Sequence, residues 1–546
     1  MANKQPNILV IMADQVAAQA LSIYGNGVCK TPNLDKLAAK SVVFDNAYTP
    51  SPLCAPARSS LMTGCLGPNI GVYDNASELT ADRPTIPHFL GHLGYHSVLC
   101  GKMHFVGPDQ IHGFNERITT DIYPANFSWM PNWERGPSFI SSGVTLSSVM
   151  EAGPCVRNMQ MDYDDEVEYQ GIQKLYDLAR NPEQSPFFMT ISFTNPHTPF
   201  TISEKYWNMY SDEDMDMPSA LPIAFEDLDY HSKGLYFAHG RQLHDVTHDR
   251  LIASRRAYYG MITYIDDKIG AILDALDETG QRDNTVICFI SDHGEMLGER
   301  GMWYKHHFWE WAAHVPMVLS FPNQRHVGRS SANVSLIDLL PTFVDLASDG
   351  AGLPGAPAVD GVSLLTKLRD APAEQDVVIS DYLAIGPCVP CRMVKKGPYK
   401  LMYTHGHPNM LFNIDADPSE QHNLANDPDH ASILDDLLAI ALDNYDPDQL
   451  TKTIIASQKE RIFISQSHDD LPTWAFIRRD GDENRFVRSA KVDDTKARLR
   501  LPRVDKVAFD YEPLTAEQVD LLMKGKVTLN DVQVPVGTGH KIGQAL

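Results

Sequence analysis

The chain has no stretch approaching the roughly 20 apolar residues of a membrane-spanning helix, and it has no internal repeat. Basic residues are scarce: 46 Lys and Arg stand against 70 Asp and Glu, a net charge of −24. That balance argues against a nucleic-acid or anionic-membrane partner, since both need a basic surface. Cysteines are few and scattered, at 29, 54, 65, 100, 155, 288, 388 and 391, several of them inside apolar runs. They outline no disulfide scaffold, and a reducing cytoplasm is the expected location. The first apolar run, from Asn7 to Met12, is too short for a secretory leader and has no small-residue cleavage site after it, so it reads as a buried strand. Cys388 and Cys391 form one C-V-P-C pair with no second pair to complete a metal site, and read as ordinary thiols.

What is present is an ordinary globular composition, 43% hydrophobic and 21% charged, in 546 residues, too many for one simple core. Apolar runs of five to eight residues recur from Asn7 to Met12, Ser41 to Tyr48, His96 to Cys100, Phe187 to Phe193, Thr285 to Ile290 and Met317 to Phe321. Continuous apolar strands separated by helical patterns predict an α/β fold with a large, mainly parallel sheet sandwiched by helices. Tyr259, Ile262, Ile265, Ile269, Ile272 and Leu273 repeat at helical spacing within a long amphipathic helix from Arg255 to Leu276. From Ile111 to Tyr163 periodicity fades, as expected of an irregular insertion near a cleft mouth. A Gly/Ala/Pro-rich segment from Gly350 to Val359 precedes short strand signals at Val377 to Ser380, Arg392 to Val394 and Lys400 to Tyr403. The expected division is therefore a catalytic domain over 1–370, a smaller C-terminal antiparallel-sheet α+β unit over 371–460, and an extended arm over 461–546. Ten Lys/Arg against six Asp/Glu between Arg478 and Lys506 make part of that arm basic, suited to a solvated tail or to an acidic neighbouring subunit.

In parallel sheets ligands bind beyond the carboxyl ends of the strands. Asp14 follows the first strand and Asp292-His293 a later one: two carboxylates and an imidazole suited to a divalent cation. Lys102 and His104 follow the strand at His96, His197 follows the strand at Phe187, and Lys305 lies downstream of Asp292. Cations gathered there would bind a tetrahedral oxyanion and stabilise charge growing on it. Cys54 and Arg58 stand in Leu53-Cys54-Ala55-Pro56-Ala57-Arg58, a C-x-P-x-R core.

Together with Val72-Tyr73-Asp74-Asn75, Gly101-Lys102-Met103-His104, Asn195-Pro196-His197, Ser291-Asp292-His293-Gly294 and Gly298-Glu299-Arg300-Gly301, these motifs resemble the type I sulfatases of the alkaline phosphatase superfamily, nearest the choline sulfatase branch. The resemblance covers roughly residues 5 to 430, in order and spacing. It implies that Cys54 is converted to formylglycine by a formylglycine-generating machinery, and that Asp14, Asp292, His293 and residue 54 hold one divalent metal, Ca²⁺ or Mn²⁺. Arg58, Lys102, His104, His197 and Lys305 would frame a sulfate group, with Asn75 adding a hydrogen bond. A hydroxyl of the aldehyde hydrate would attack sulfur, His197 or Lys305 would assist the departing alcohol, and His104 would act as the base that releases sulfate.

Two positions depart from the pattern. Gln15 stands where many sulfatases carry a second Asp, which leaves the ligand number open, and Ala57 stands where many carry Ser. The implied substrate is a small organic sulfate monoester, alkyl, aryl or choline sulfate-like. Asp121-Ile122-Tyr123-Pro124 and Trp129 match the choline sulfatase pattern, but the Thr145 region lacks the expected His. The alternatives are a phosphonate monoester or phosphodiester hydrolase using the same site, and a silent binding protein in which Cys54 stays a thiol. A homo-oligomer, dimer or tetramer, is also expected.

Overall fold

The computed structural model describes residues 5–139, 144–181, 185–368, 376–467, 500–504, 507 and 511–532. Most of the basic segment between Arg478 and Lys506 lies outside them, and the expected arm is described only in parts.

Eight strands form the large sheet: β1 Asn7–Ala13, β2 Val42–Tyr48, β3 His96–Gly101, β4 Glu116–Arg117, β5 Phe187–Ser192, β6 Thr285–Ser291, β7 Met317–Ser320 and β8 Gly328–Ser335. Their order across the sheet is β8-β2-β7-β6-β1-β5-β3-β4. Within it β7 runs antiparallel to β2 and β6, while the other neighbouring strands pair in parallel. Each expected apolar run is a strand. β8 was not anticipated, because its sequence GRSSANVS is polar and its first half lies exposed on the sheet edge.

Side chains of β1 alternate between the two faces, as a period of two requires. Leu9, Ile11 and Ala13 join one core with the helices Met159–Arg180 and His248–Glu278. Ile8, Val10 and Met12 join another with the helices Ile86–His92 and Leu339–Ser348. The sheet is thus sandwiched, and β1 at its centre is buried on both sides.

Two boundaries move for a local reason. The long helix begins at His248 because the Thr247 side chain accepts from the Arg250 amide. The irregular insertion gives way to helix at Met159, before Tyr163, because Asn158 Oδ1 accepts from the Met161 amide at 2.7 Å.

A second, antiparallel sheet follows: β9 Val377–Tyr382, β10 Cys391–Lys396, β11 Tyr399–Thr404 and β12 Met410–Asn413, paired in sequence order. Tyr382, Met393 and Met402 on one face pack against Tyr48, Leu53, Phe308 and Trp309. Val394, Leu401 and Leu411 on the other face meet Leu437 and Ala441 of the helix Ala431–Leu442. The boundary expected after residue 460 falls within the helix Pro447–Gln466. All eight cysteines are unpaired thiols, including Cys388 and Cys391. No described helix is long and apolar enough to cross a membrane.

Candidate active site

Strand register assembles the site. Ala13 pairs with Ser291, so Asp14 and Asp292 leave adjacent parallel strands side by side. Gly101 pairs with Ser192, so Lys102 emerges beside the segment leading to His197. Gly101 has φ +99°, and a Cβ there would collide with the Ser192 carbonyl oxygen, which leaves glycine as the residue that fits.

Cys54 is the first residue of the helix Cys54–Thr63, whose N-terminus favours negative charge. Its Sγ lies 3.0 Å from His293 Nε2 and 3.9 Å from Asp14 Oδ1. His293 Nε2 is 3.7 Å from Asp14 Oδ1 and 3.8 Å from Asp292 Oδ2. Donor atoms of Asp14, Cys54, Asp292 and His293 all lie within 4.8 Å of one another, and all four residues are buried. Burial and the charge of Asp292 push the Asp14 carboxyl up to about 6, against the pull of Lys102 and Arg58. Burial opposes ionisation of Asp292 too, but Arg58, His293 and Lys102 outweigh it and hold that carboxyl well below the usual range. Two carboxylates repelling each other beside an imidazole can hold a divalent cation, which would offset that repulsion.

Cations surround this group. Lys102 Nζ is hydrogen-bonded to Asp14 and lies 4.1 Å from the centre of the Tyr123 ring. Arg58 donates from Nε to Asp292 at 2.7 Å, and from Nη1 to the Lys102 carbonyl at 2.7 Å and Ser192 Oγ at 2.9 Å. Lys305 Nζ lies 2.7 Å from His197 Nε2 and also donates to Gln15 Oε1. Burial alone would raise the Cys54 thiol, yet Lys102, Lys305 and the neighbouring His104 bring it down to about 6. Asn75 Oδ1 accepts from the Ala55 amide at 3.0 Å, fastening the helix start.

Asp14, Cys54, Arg58, Lys102, His104, His197, Asp292, His293 and Lys305 thus line one buried region, with Asn75 at its margin. His104, at φ +58°, is held by Asp121, whose carboxylate accepts from the Met103 and His104 amides at 2.9 and 2.7 Å. Trp129 is half-buried at the rim, its ring 5.4 Å from that of His104 and 5.0 Å from that of Tyr123.

Sequence reasoning missed several supports. Asp164 accepts from the Thr194 and Asn195 amides at 2.7 and 2.9 Å, anchoring the segment that carries His197. Glu295 accepts from the side chain of Gln15, whose backbone stands at φ +71°. Neither belongs to a short motif that would have marked it.

The Sulfatase family model matches residues 6–350. The chain belongs to the sulfatase family. A second model, N-sulphoglucosamine sulphohydrolase, C-terminal, matches residues 298–444 of this sulfatase. It is 42% identical to a choline-sulfatase of Rhizobium meliloti, over 78% of this chain and 84% of the relative. It is 28% identical to an arylsulfatase of Clostridium perfringens, over 80% of this chain and 94% of that one. Its fold matches a solved phosphonate monoester hydrolase from Silicibacter pomeroyi with a TM-score of 0.65 at 24% identity, over 80% of this chain and 94% of that one.

Proposed function

We propose that this sulfatase hydrolyses small organic sulfate monoesters, using a formylglycine formed from Cys54 and one divalent cation, Ca²⁺ or Mn²⁺, held by Asp14, Asp292, His293 and residue 54. The observation that carries the reading is the position of Cys54, at a helix N-terminus, within 4 Å of Asp14 and His293 and under the influence of Lys102 and Lys305. When present, the formylglycine hydrate supplies a nucleophilic hydroxyl and the cation supplies positive charge to the sulfate oxygens.

The chain's own side chains do the rest. Lys102 and Lys305 bind the sulfate oxygens, each fixed by a neighbour, Asp14 and Gln15 respectively. The Lys305 ammonium donates to His197 Nε2 at 2.7 Å, so the imidazole carries its proton on Nδ1, which donates to the Thr198 carbonyl at 2.8 Å. A departing alkoxide receives its proton from this pair. His104, beside residue 54, removes the proton whose loss releases sulfate from the enzyme. Arg58 orients Asp292 and takes no part in proton transfer, since guanidinium stays charged.

The eight unpaired thiols support a reducing, cytoplasmic location, and Cys54 makes a formylglycine-generating enzyme the maturation partner. Choline sulfate, the ester to which the name of the 42% identical choline-sulfatase points, is the first substrate to assay. Paired kinetics on 4-nitrophenyl sulfate and a phenylphosphonate monoester test the reading. Sulfate turnover should exceed phosphonate turnover in kcat/KM, and the reverse order would make the protein a phosphonate ester hydrolase.

A further inference from the structure

Glu295 is fully buried and takes hydrogen bonds from three sides. Its Oε1 accepts from the Leu297 amide at 2.9 Å and the Tyr304 amide at 2.6 Å, and its Oε2 accepts from Gln15 Nε2 at 2.5 Å. Gln15 is fully buried too, and its main chain is held at both ends: its amide donates to Asp292 Oδ1 at 3.1 Å and its carbonyl accepts from the Tyr258 hydroxyl at 2.6 Å. Its side-chain oxygen accepts from the Lys305 ammonium, whose Nζ also lies 2.7 Å from His197 Nε2. Burial pushes the Glu295 carboxyl up to about 7, against the pull of the Leu297 and Tyr304 amides and of Lys305.

These contacts form one chain, Glu295–Gln15–Lys305–His197, and donor chemistry fixes its direction. An ammonium has only protons to give, and an ionised carboxylate has only lone pairs. The Gln15 amide between them therefore has one productive orientation, its NH₂ toward Glu295 and its oxygen toward Lys305. Lys305 gives one proton to Gln15 and one to His197, which leaves its third for a sulfate oxygen. Glu295 also holds the Tyr304 amide, one residue before Lys305, so it steadies that side chain at its head and at its root. Neutralising residue 295 without changing its shape would reverse the chain. In Glu295→Gln the side-chain oxygen of residue 295 stays with the Leu297 and Tyr304 amides, and its NH₂ faces Gln15. Gln15 must then turn its own NH₂ onto the Lys305 ammonium.

We propose that Glu295 is a positioning residue for sulfate ester hydrolysis: it sets the direction of this hydrogen-bond chain and so keeps the Lys305 ammonium on His197 and on the sulfate. This rests on the sulfatase reading above. Glu295 acts only through Gln15 and the Tyr304 amide and touches none of the reacting atoms. Because the departing alkoxide takes its proton from the Lys305–His197 pair, reversal of the chain harms esters of weakly acidic alcohols most.

The test uses the formylglycine-bearing enzyme with propyl sulfate and 4-nitrophenyl sulfate near pH 8, where Glu295 is ionised. Glu295→Gln should lose about tenfold to a hundredfold in kcat/KM on propyl sulfate, the worth of one charge-assisted hydrogen bond. It should lose clearly less on 4-nitrophenyl sulfate and should keep its divalent ion, as read by elemental analysis. Adding Gln15→Glu to Glu295→Gln returns an acceptor to Lys305 at unchanged total charge, and should recover most of the loss on propyl sulfate. A carboxylate with a merely structural role predicts the opposite, since a second buried substitution would deepen the damage. Unmutated-level turnover by Glu295→Gln, equal losses on the two esters, loss of its ion, or a double variant no better than Glu295→Gln each overturns the proposal. Should Glu295→Gln fail to fold, Gln15→Met decides, because it breaks the chain and leaves the Leu297 and Tyr304 contacts of Glu295 in place. It should show the same unequal losses, and equal losses overturn the proposal. Failure of the unmutated converted enzyme on both esters would instead overturn the sulfatase reading itself.

Discussion

Arg461 and Asp74 form a bidentate ion pair across 387 residues of sequence: Nη1 lies 2.7 Å from Oδ1 and Nη2 2.8 Å from Oδ2, with both side chains buried. Asp74 precedes Asn75, which fastens the start of the Cys54 helix, so the helix Pro447–Gln466 braces the active site from outside the large sheet. Arg461→Met would leave Asp74 buried and unpaired, at a cost of about 3–5 kcal/mol. Urea unfolding should show that loss, and Asp74→Asn combined with Arg461→Met should cost less than the two single changes summed. Strict additivity would remove the brace.

Much of this was legible in the sequence because the signals are local. Apolar runs ending at Asp14, Lys102 and Asp292 announced both the strands and the edge where the site lies. The Arg461–Asp74 pair was not legible, since nothing local marks partners so far apart. β8 escaped because an exposed edge strand carries no apolar pattern, and Asp164 because a buried carboxylate serving backbone amides has no motif.

The donor group predicts metal stoichiometry. Asp292→Ala removes one carboxylate and also strips Arg58 of its 2.7 Å partner. Elemental analysis should find about one divalent ion per chain in the unmutated enzyme, and loss of both ion and turnover in the variant. An ion retained in the Asp14→Ala/Asp292→Ala double variant would place the metal elsewhere.

The Lys305–His197 contact predicts a dependence on the leaving group. A proton donor matters least when the alcohol is already acidic. His197→Ala should lose about 10²–10³-fold in kcat/KM on an alkyl sulfate and about tenfold or less on 4-nitrophenyl sulfate. Equal losses would show that His197 serves sulfate binding alone.

Before conversion, the Cys54 thiol offers a pH test. Its pKa of about 6 reflects burial outweighed by Lys102, Lys305 and the neighbouring His104. The reactive thiolate therefore grows as pH rises through about 6, whereas the pKa values of the other seven cysteines lie above the ordinary range. In metal-free, unconverted protein, iodoacetamide labelling of Cys54 should be half-maximal near pH 6, with the other thiols unlabelled, as read by peptide mass spectrometry. A midpoint near the free-thiol value of about 8.5 would mean that the surrounding cations do not act on it.

The central claim is that residue 54 works as an aldehyde and not as a thiol. Preparations made with and without a formylglycine-generating enzyme would differ in the fraction converted, measured by mass spectrometry of the peptide containing residue 54. Turnover of 4-nitrophenyl sulfate plotted against that fraction should give a straight line through the origin, with Cys54→Ala inactive. Full turnover from protein carrying only the unmodified thiol would contradict the account.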